Sequence, residues 1–245
     1  MRVALLCQNV EMTELVVDKV LRKEKERITL HEISFSMEKG EKIGLMGETG
    51  SGKTTLLKMI AGLLQPSSGT IEFQSKRVRG PNEVLLPGHP QIGYLSQHFE
   101  LLNNYYVHEI LEMSSKVNEE ESNNIYEICK VDHLLKRRTN ELSGGERQRL
   151  ALAKTLTSNP SLILLDEPFS NLDSIHKKML HQVIEEIFHV RNLSCIMVSH
   201  NPSEILPWAN RLMLLKNGKV IQFDRTDEVE KNPFNQYVKD ILGLG

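Results

Sequence analysis

The sequence has few cysteines and no long apolar run. Its 245 residues include only three cysteines, Cys7, Cys129 and Cys195, which form neither a CxxC pair nor a Cys/His cluster. This spacing excludes a dense disulfide framework and a zinc finger, and it is typical of a protein from a reducing, cytosolic compartment. No segment approaches about 18 consecutive apolar residues, so the sequence predicts no membrane-spanning helix.

The sequence also lacks an excess of charge of either sign. Its formal net charge is −2, which does not fit the basic surface of a nucleic-acid-binding protein, and we expect no nucleic-acid partner. It contains no internal repeat and no low-complexity stretch. Hydrophobic residues make up 40% of the chain and charged residues 25%, as in globular proteins that bury a core without disulfide or metal support.

The first residues allow two interpretations. Met1–Gln8 resembles a signal peptide weakly, but its apolar run is only five residues long and no clear cleavage site follows. Alternatively, Met12 is the usual start, and residues 1–11 are an N-terminal extension.

Short β-rich runs alternate with helical stretches, which predicts an α/β fold with a mostly parallel sheet. The predicted strands are Leu15–Val20, Thr29–Met37, Lys42–Met46, Gly69–Phe73, Gln91–Ser96, Ser161–Asp166 and Ser194–Ser199, then a hairpin of Arg211–Leu215 and Lys219–Phe223. A helix is predicted after the third strand, ending near Leu64, and further helices over 107–136 and Glu146–Ser158. The acidic run Glu119–Glu121 predicts a solvated helix start.

A phosphate-binding loop follows the third predicted strand. Residues 47–54 read Gly-Glu-Thr-Gly-Ser-Gly-Lys-Thr and fit the pattern G-x-x-x-x-G-K-[ST] in full. Its glycines let backbone N–H groups face phosphate oxygens at a helix N-terminus, Lys53 adds a cation, and the Thr54 hydroxyl can ligate Mg²⁺. The predicted phosphate-binding residues are Gly47, Glu48, Thr49, Gly50, Ser51, Gly52, Lys53, Thr54 and Thr55.

Two carboxylates end a continuously apolar strand. Asp166 and Glu167 follow Leu162–Leu165, and ligands of parallel sheets bind at the carboxyl ends of strands. Successive strand residues point to opposite faces, so Asp166 can hold Mg²⁺ while Glu167 faces an attacking water as general base. An acidic pair that merely opens a surface loop is the alternative, which the phosphate loop upstream disfavours.

A second predicted helix N-terminus lies at Ser143. Ser143, Gly144 and Gly145 precede a helical run, and the sequence Leu-Ser-Gly-Gly-Glu resembles the LSGGQ signature of the ABC ATPase family, with Glu146 in place of the glutamine. A helix N-terminus is an anion site, so one chain would carry two phosphate-binding elements.

Further motifs follow the order of that family, and the resemblance covers residues 13–243. Gln97 is similar to its Q-loop glutamine, Ser170–Asp173 to its D-loop, and His200 to its switch histidine. The resemblance implies a P-loop NTPase core over 12–97 and 159–225 that includes an antiparallel β subdomain. It also implies a helical subdomain over 98–158 and a helical tail over 226–245.

The resemblance implies ATP and Mg²⁺ as ligands. Two cassettes, either two copies or a copy and a different cassette, would pack head to tail with ATP between the phosphate loop of one and the signature of the other. Water would attack the γ-phosphate, with Glu167 as base and Lys53 and His200 stabilising charge. Thr54, Gln97 and Asp166 would hold the metal, and Ser143, Gly144, Gly145 and Asp173 would complete the nucleotide site.

The same resemblance predicts a transporter subunit, because neither coiled-coil insertions nor a second or membrane domain are found in the chain. We expect an importer cassette at the inner face of the plasma membrane, bound to an integral membrane permease and serving a solute-binding protein. The segment His98–Val107 would dock the permease, or it packs the core of the helical subdomain instead. An ABC ATPase for envelope remodelling or repair, and a regulatory nucleotide-binding protein, are the alternatives.

The tail resembles the cassette end of sulfate, polyamine, iron and maltose importers. It reads Thr226–Val229, then Asn232–Val238, then Leu242-Gly243. Such importers usually continue into a regulatory domain, which we expect this chain to lack.

One departure from the family generates a prediction about the nucleotide base. The family usually stacks an upstream aromatic residue on adenine, but no Phe, Tyr or Trp lies between Leu15 and Ser34. We therefore expect weak discrimination between ATP and GTP, to be measured as the ratio of their kcat/KM values. A large preference for ATP over GTP would refute this expectation.

Overall fold

The computed structural model describes residues 13–25, 27–97, 101–170 and 172–244. The predictions for residues 1–11, for Phe99 at the docking segment and for Asn171 of the D-loop lie outside this part of the chain. The described residues divide into two compact units. One comprises those up to His89 together with those from Ser194 onward, and the other is Pro90–Leu193.

The strands and helices alternate along most of the chain. The strands are β1 Thr13–Glu24, β2 Arg27–Glu38, β3 Lys42–Gly47, β4 Ser68–Phe73, β5 Lys76–Arg77, β6 Ile92–Leu95, β7 Leu162–Asp166, β8 Ser194–Val198, β9 Arg211–Lys216 and β10 Lys219–Arg225. The helices are α1 Lys53–Ile60, α2 Val107–Ser114, α3 Glu119–Ile128, α4 Gly144–Thr157, α5 Ser174–Val190, α6 Pro202–Ile205, α7 Thr226–Lys231 and α8 Gln236–Leu242, with 3₁₀ turns at Asp132–Leu134 and Thr139–Glu141.

The first unit contains an antiparallel sheet and a mixed sheet. The antiparallel sheet has the order β2-β1-β4-β5. In the mixed sheet β3 pairs in parallel with both β8 and β9, and β10 forms the predicted hairpin with β9. The buried run Ile43–Gly47 of β3 therefore lies between two parallel neighbours, as a strand without polar alternation requires.

Helix α1 ends earlier than predicted. Its last residue is Ile60, four residues before Leu64, because Gly62 has a φ of 73° and turns the chain out of the helix. The N–H groups of Leu63 and Leu64 both donate to the carbonyl of Lys58, which caps the free end of the helix.

The second unit is mainly helical around a parallel strand pair. Strand β6 pairs with β7, so that Leu95 lies beside Leu165. Helix α4 buries Leu150, Leu152 and Ala153, and α3 begins at the acidic run as predicted, with Asn118 accepting a hydrogen bond from the N–H of Glu121. Helix α5 was not predicted from the sequence.

Candidate functional site

The phosphate loop connects β3 to α1 in the first unit. Gly47 begins it with a φ of 149°, and a Cβ there would lie 2.2 Å from the carbonyl oxygen of Leu215. Only glycine allows this approach, which fixes the loop against β9. The N–H of Gly218 adds a second contact from the β9–β10 turn, since it donates to the carbonyl of Ser51 at 3.0 Å.

Lys53 is folded back on this loop. Its side chain is buried, and its Nζ donates to the carbonyl oxygens of Gly47 at 2.7 Å and Glu48 at 2.9 Å. The Oγ of Ser51 is also buried and, among the described residues, has no hydrogen-bond partner. Thr54 is exposed at the start of α1 and Thr55 is half-buried. A cation and an unused hydroxyl thus lie within a loop suited to phosphate.

The predicted acidic pair lies at the end of β7 in the second unit. Asp166 is buried and accepts a hydrogen bond from the Tyr94 hydroxyl at 2.9 Å. The amide Nε2 of Gln97 donates to Oε2 of Glu167 at 3.3 Å. Glu167 has a φ of 50°, a left-handed conformation that costs energy for a residue with a side chain. The structure therefore brings three predicted residues, Gln97, Asp166 and Glu167, together.

Tyr94 was not identified from the sequence. Burial, followed by the neighbouring charge of Asp166, raises the pKa of Tyr94. The phenol consequently stays protonated and can act as a donor to the carboxylate. Its only sequence signal was the position next to the predicted Q-loop, on a strand parallel to the one that carries Asp166.

The signature residues form the N-terminus of α4. Ser143 is the N-cap, with its Oγ accepting from the N–H of Glu146 at 3.3 Å, and Oε2 of Glu146 accepts from the N–H of Ser143 at 2.7 Å. Burial tends to raise the pKa of Glu146, but the bonds from Ser143 and the charge of Arg137 outweigh it and lower that pKa. A reciprocal capping box accepts either Glu or Gln at this position, which explains the departure from LSGGQ.

The D-loop aspartate caps α5 and bonds to a histidine. Asp173 Oδ1 accepts from the N–H groups of Ile175 and His176, and its Oδ2 lies 2.7 Å from Nδ1 of His176. The backbone hydrogen bond from His176, together with the bond from its ring, lowers the pKa of Asp173. A Cβ on Gly145 would lie 2.5 Å from the His176 ring, so this histidine connects the signature to the D-loop. No sequence motif indicated its role.

His200 follows β8 in the first unit and is exposed. The preceding Ser199 donates through Oγ to Glu204 Oε2 at 2.6 Å, and Ser199 Oγ accepts from the N–H of Asn201 at 3.0 Å. These bonds hold the backbone on both sides of the histidine.

Within the part of the chain that the structure describes, no three His, Cys, Asp or Glu side chains converge as metal ligands. None of the helices described there is long and apolar enough to cross a membrane.

The phosphate loop and the α/β architecture define a P-loop nucleotide-binding protein. The family model described as ABC transporter matches residues 30–170, which include both the phosphate loop and the signature. The chain belongs to the ABC transporter family.

Relatives agree with this membership, and a solved structure shares the fold. The chain is 33% identical to the glucose import ATP-binding protein GlcV of Saccharolobus solfataricus, over 93% of this chain and 66% of that protein. It is also 33% identical to the probable sulfate/thiosulfate import ATP-binding protein CysA of Chlorella vulgaris, over 88% and 92% of the two chains. The fold matches the ADP conformation of an ATP-binding cassette of an ABC transporter with a TM-score of 0.78, at 24% identity and over 94% and 98% of the two chains.

The contact between Gly145 and His176 generates a prediction. Gly145→Ala forces the imidazole away from Asp173, and we expect the free energy of unfolding to fall by about 1–3 kcal/mol. In a His176→Ala background the added methyl group of Gly145→Ala no longer meets the imidazole ring, so the loss in free energy of unfolding should be smaller. Urea denaturation of the four proteins measures this coupling.

The matched control is Gly144→Ala, where an added Cβ meets no atom within 4 Å. Equal destabilisation by Gly145→Ala in both backgrounds would show that the ring does not limit the space at this position.

Proposed function

We propose that this chain binds and hydrolyses ATP to energise a membrane transporter, and that it serves import. The observation that carries the proposal is the capped, glycine-started helix at Ser143, because a second anion-binding helix N-terminus is superfluous in an ordinary P-loop protein. The two relatives named above are both import ATP-binding proteins, which supports the direction of transport.

The phosphate loop would bind the nucleotide. Its N–H groups and the Ser51 hydroxyl, which has no hydrogen-bond partner among the described residues, provide donors, and the Lys53 ammonium can move from the loop carbonyls to the β- and γ-phosphates. Thr54, Gln97 and Asp166 offer hydroxyl, amide and carboxylate oxygens, the hard donors that suit Mg²⁺. When bound there, Mg²⁺ would neutralise charge on the phosphates.

Glu167 would activate the attacking water. Its carboxylate accepts the water proton as the oxygen attacks the γ-phosphorus, and the bond from that phosphorus to the bridging oxygen of ADP breaks. The Gln97 amide bonds one oxygen of this carboxylate and so orients it. Lys53 and His200 would stabilise the charge that develops on the phosphoryl oxygens.

A second cassette would complete each nucleotide site. Ser143 and Gly144 are exposed, so their hydroxyl and N–H groups are open to a phosphate held by another copy. The phosphate loop and the signature occur on one chain, so two identical copies could form two equivalent sites.

The transporter assignment also rests on an apolar surface. Leu102 is 49% exposed and Tyr105 is 40% exposed at the segment predicted to dock a permease, while Leu101 and Tyr106 are half-buried. Exposed aromatic and aliphatic side chains suit an interface with a membrane subunit. The complex would hold this chain at the inner face of the membrane, and a solute-binding protein would deliver the substrate.

Substitution of the general base tests the catalytic part. In Glu167→Gln the side chain keeps its size but cannot accept a proton, so we expect ATP turnover to fall at least about 100-fold with nucleotide binding retained. A coupled phosphate-release assay and a binding titration measure the two properties. The control is Glu185→Gln, an exposed glutamate on α5. Substantial turnover by the Glu167→Gln protein would remove Glu167 from this role.

Isolation of the native complex tests the transport part. We expect the tagged chain to retain an integral membrane protein from solubilised membranes, and Leu102→Asp to lose it because a charge enters the apolar interface. Leu85→Asp places the same charge on a fully exposed leucine elsewhere and should have no effect. If Leu102→Asp retained the membrane protein as Leu85→Asp does, this result would contradict the proposed docking segment. If the unsubstituted chain retained no membrane protein, that result would contradict a transporter subunit.

A further inference from the structure

A tyrosine of the C-terminal region contacts the phosphate loop. The hydroxyl of Tyr237, on α8, donates to the carbonyl oxygen of Leu215 at 2.7 Å and accepts from the N–H of Glu48 at 3.2 Å. Leu215 is the β9 residue whose carbonyl also abuts Gly47. One hydroxyl therefore bridges the strand that supports the loop and the loop itself.

The N–H of Glu48, which donates to Tyr237, shares a peptide unit with the carbonyl of Gly47, which accepts from Lys53. The carbonyl of Gly47 and the N–H of Glu48 belong to the same planar peptide, so they cannot rotate independently. That carbonyl accepts from Lys53 Nζ at 2.7 Å. A continuous hydrogen-bond chain thus runs from Leu215 through Tyr237 and the 47–48 peptide to the Lys53 ammonium.

Other contacts hold the tyrosine in place without involving the phosphate loop. The N–H of Phe234 donates to Gln222 Oε1 at 2.9 Å, and Gln222 Nε2 donates to the carbonyl of Asn232 at 3.0 Å, which fixes the segment before α8 to β10. The Lys216 ammonium lies 4.2 Å from the centroid of the Tyr237 ring. The ring would therefore stay in place if only its hydroxyl were removed.

The tyrosine also remains in the form that can both donate and accept. Burial, the largest influence, raises the pKa of Tyr237, while the hydrogen bond from the Glu48 N–H opposes the rise. The phenol is consequently neutral at physiological pH. An ionised tyrosine would lose the bond to Leu215, because it has no proton to donate.

We propose that Tyr237 is a positioning residue for nucleotide binding, which orients the 47–48 peptide and through it the Lys53 ammonium. The proposal deepens the ATP-binding function proposed above and rests on it. Glu48 is exposed, so water can replace the tyrosine as partner of its N–H, and folding depends little on this bond. Without the hydroxyl, however, the 47–48 peptide loses this restraint, and more of its orientation must be fixed when the nucleotide binds.

The test compares two hydroxyl deletions in the same C-terminal region. Tyr237→Phe removes the bridge to the loop, whereas Thr226→Val removes a buried hydroxyl that donates to the Ala209 carbonyl at 2.7 Å and does not touch the loop. Calorimetry with MgADP gives the affinity, steady-state ATP hydrolysis gives KM and kcat, and thermal unfolding gives Tm. We expect Tyr237→Phe to weaken MgADP binding and raise KM by roughly 2- to 10-fold, with kcat little changed. Thr226→Val should lower Tm and leave MgADP affinity and KM unchanged.

A double-mutant cycle with Lys53→Met separates positioning from a general effect. If Tyr237 acts through the ammonium, Tyr237→Phe should weaken MgADP binding little further once Lys53 is replaced. Additive effects of the two substitutions would overturn the proposal, as would unchanged affinity in Tyr237→Phe or an equal loss in Thr226→Val. A wild-type chain that binds neither MgADP nor ATP would instead overturn the proposed function itself, together with this inference.

Discussion

The bond between the Lys53 ammonium and the loop carbonyls is the interaction on which the first unit depends. A buried cation needs oxygen partners, and the carbonyls of Gly47 and Glu48 provide them. For these carbonyls to face the lysine, Gly47 must take a φ that brings its Cα against the Leu215 carbonyl. The position of β9 beside β3 is thereby coupled to the position of the charge that the phosphates require.

In the second unit, side-chain caps rather than a buried cation satisfy the backbone groups around the candidate site residues. Ser143 and Glu146 satisfy donors at the start of α4, and Asp173 does the same for α5. Both helix N-termini are thus capped, and His176 lies between Asp173 and Gly145, where it bonds the first and packs against the second. The hydrogen bonds that these caps supply hold the first turn of each helix in place.

Much of this organisation could be predicted from the sequence, because its strongest patterns are local. The residue pattern at 47–54, with an apolar strand before it and a helix-forming run after it, predicted the phosphate loop, and the apolar run before Asp166 predicted a buried parallel strand. The roles of Tyr94, His176 and Tyr237 could not be predicted, since each depends on a partner brought close only by the fold. The sequence did not predict the early end of α1. The residues up to Leu64 have high helix propensity, and the single Gly62 among them is a weak stop signal by propensity alone.

The bond between Tyr237 and Glu48 has a consequence for the synthesis of the chain. Its partners are separated by 189 positions, so the phosphate motif leaves the ribosome long before the residue that bridges it to β9. Contacts of such long range form late, because the intervening chain must first be closed into a loop. A nascent chain that already displays the complete motif therefore still lacks the hydroxyl that bonds its first peptide. This contact between the phosphate motif and the C-terminal region therefore forms only after residue 237 has been synthesised.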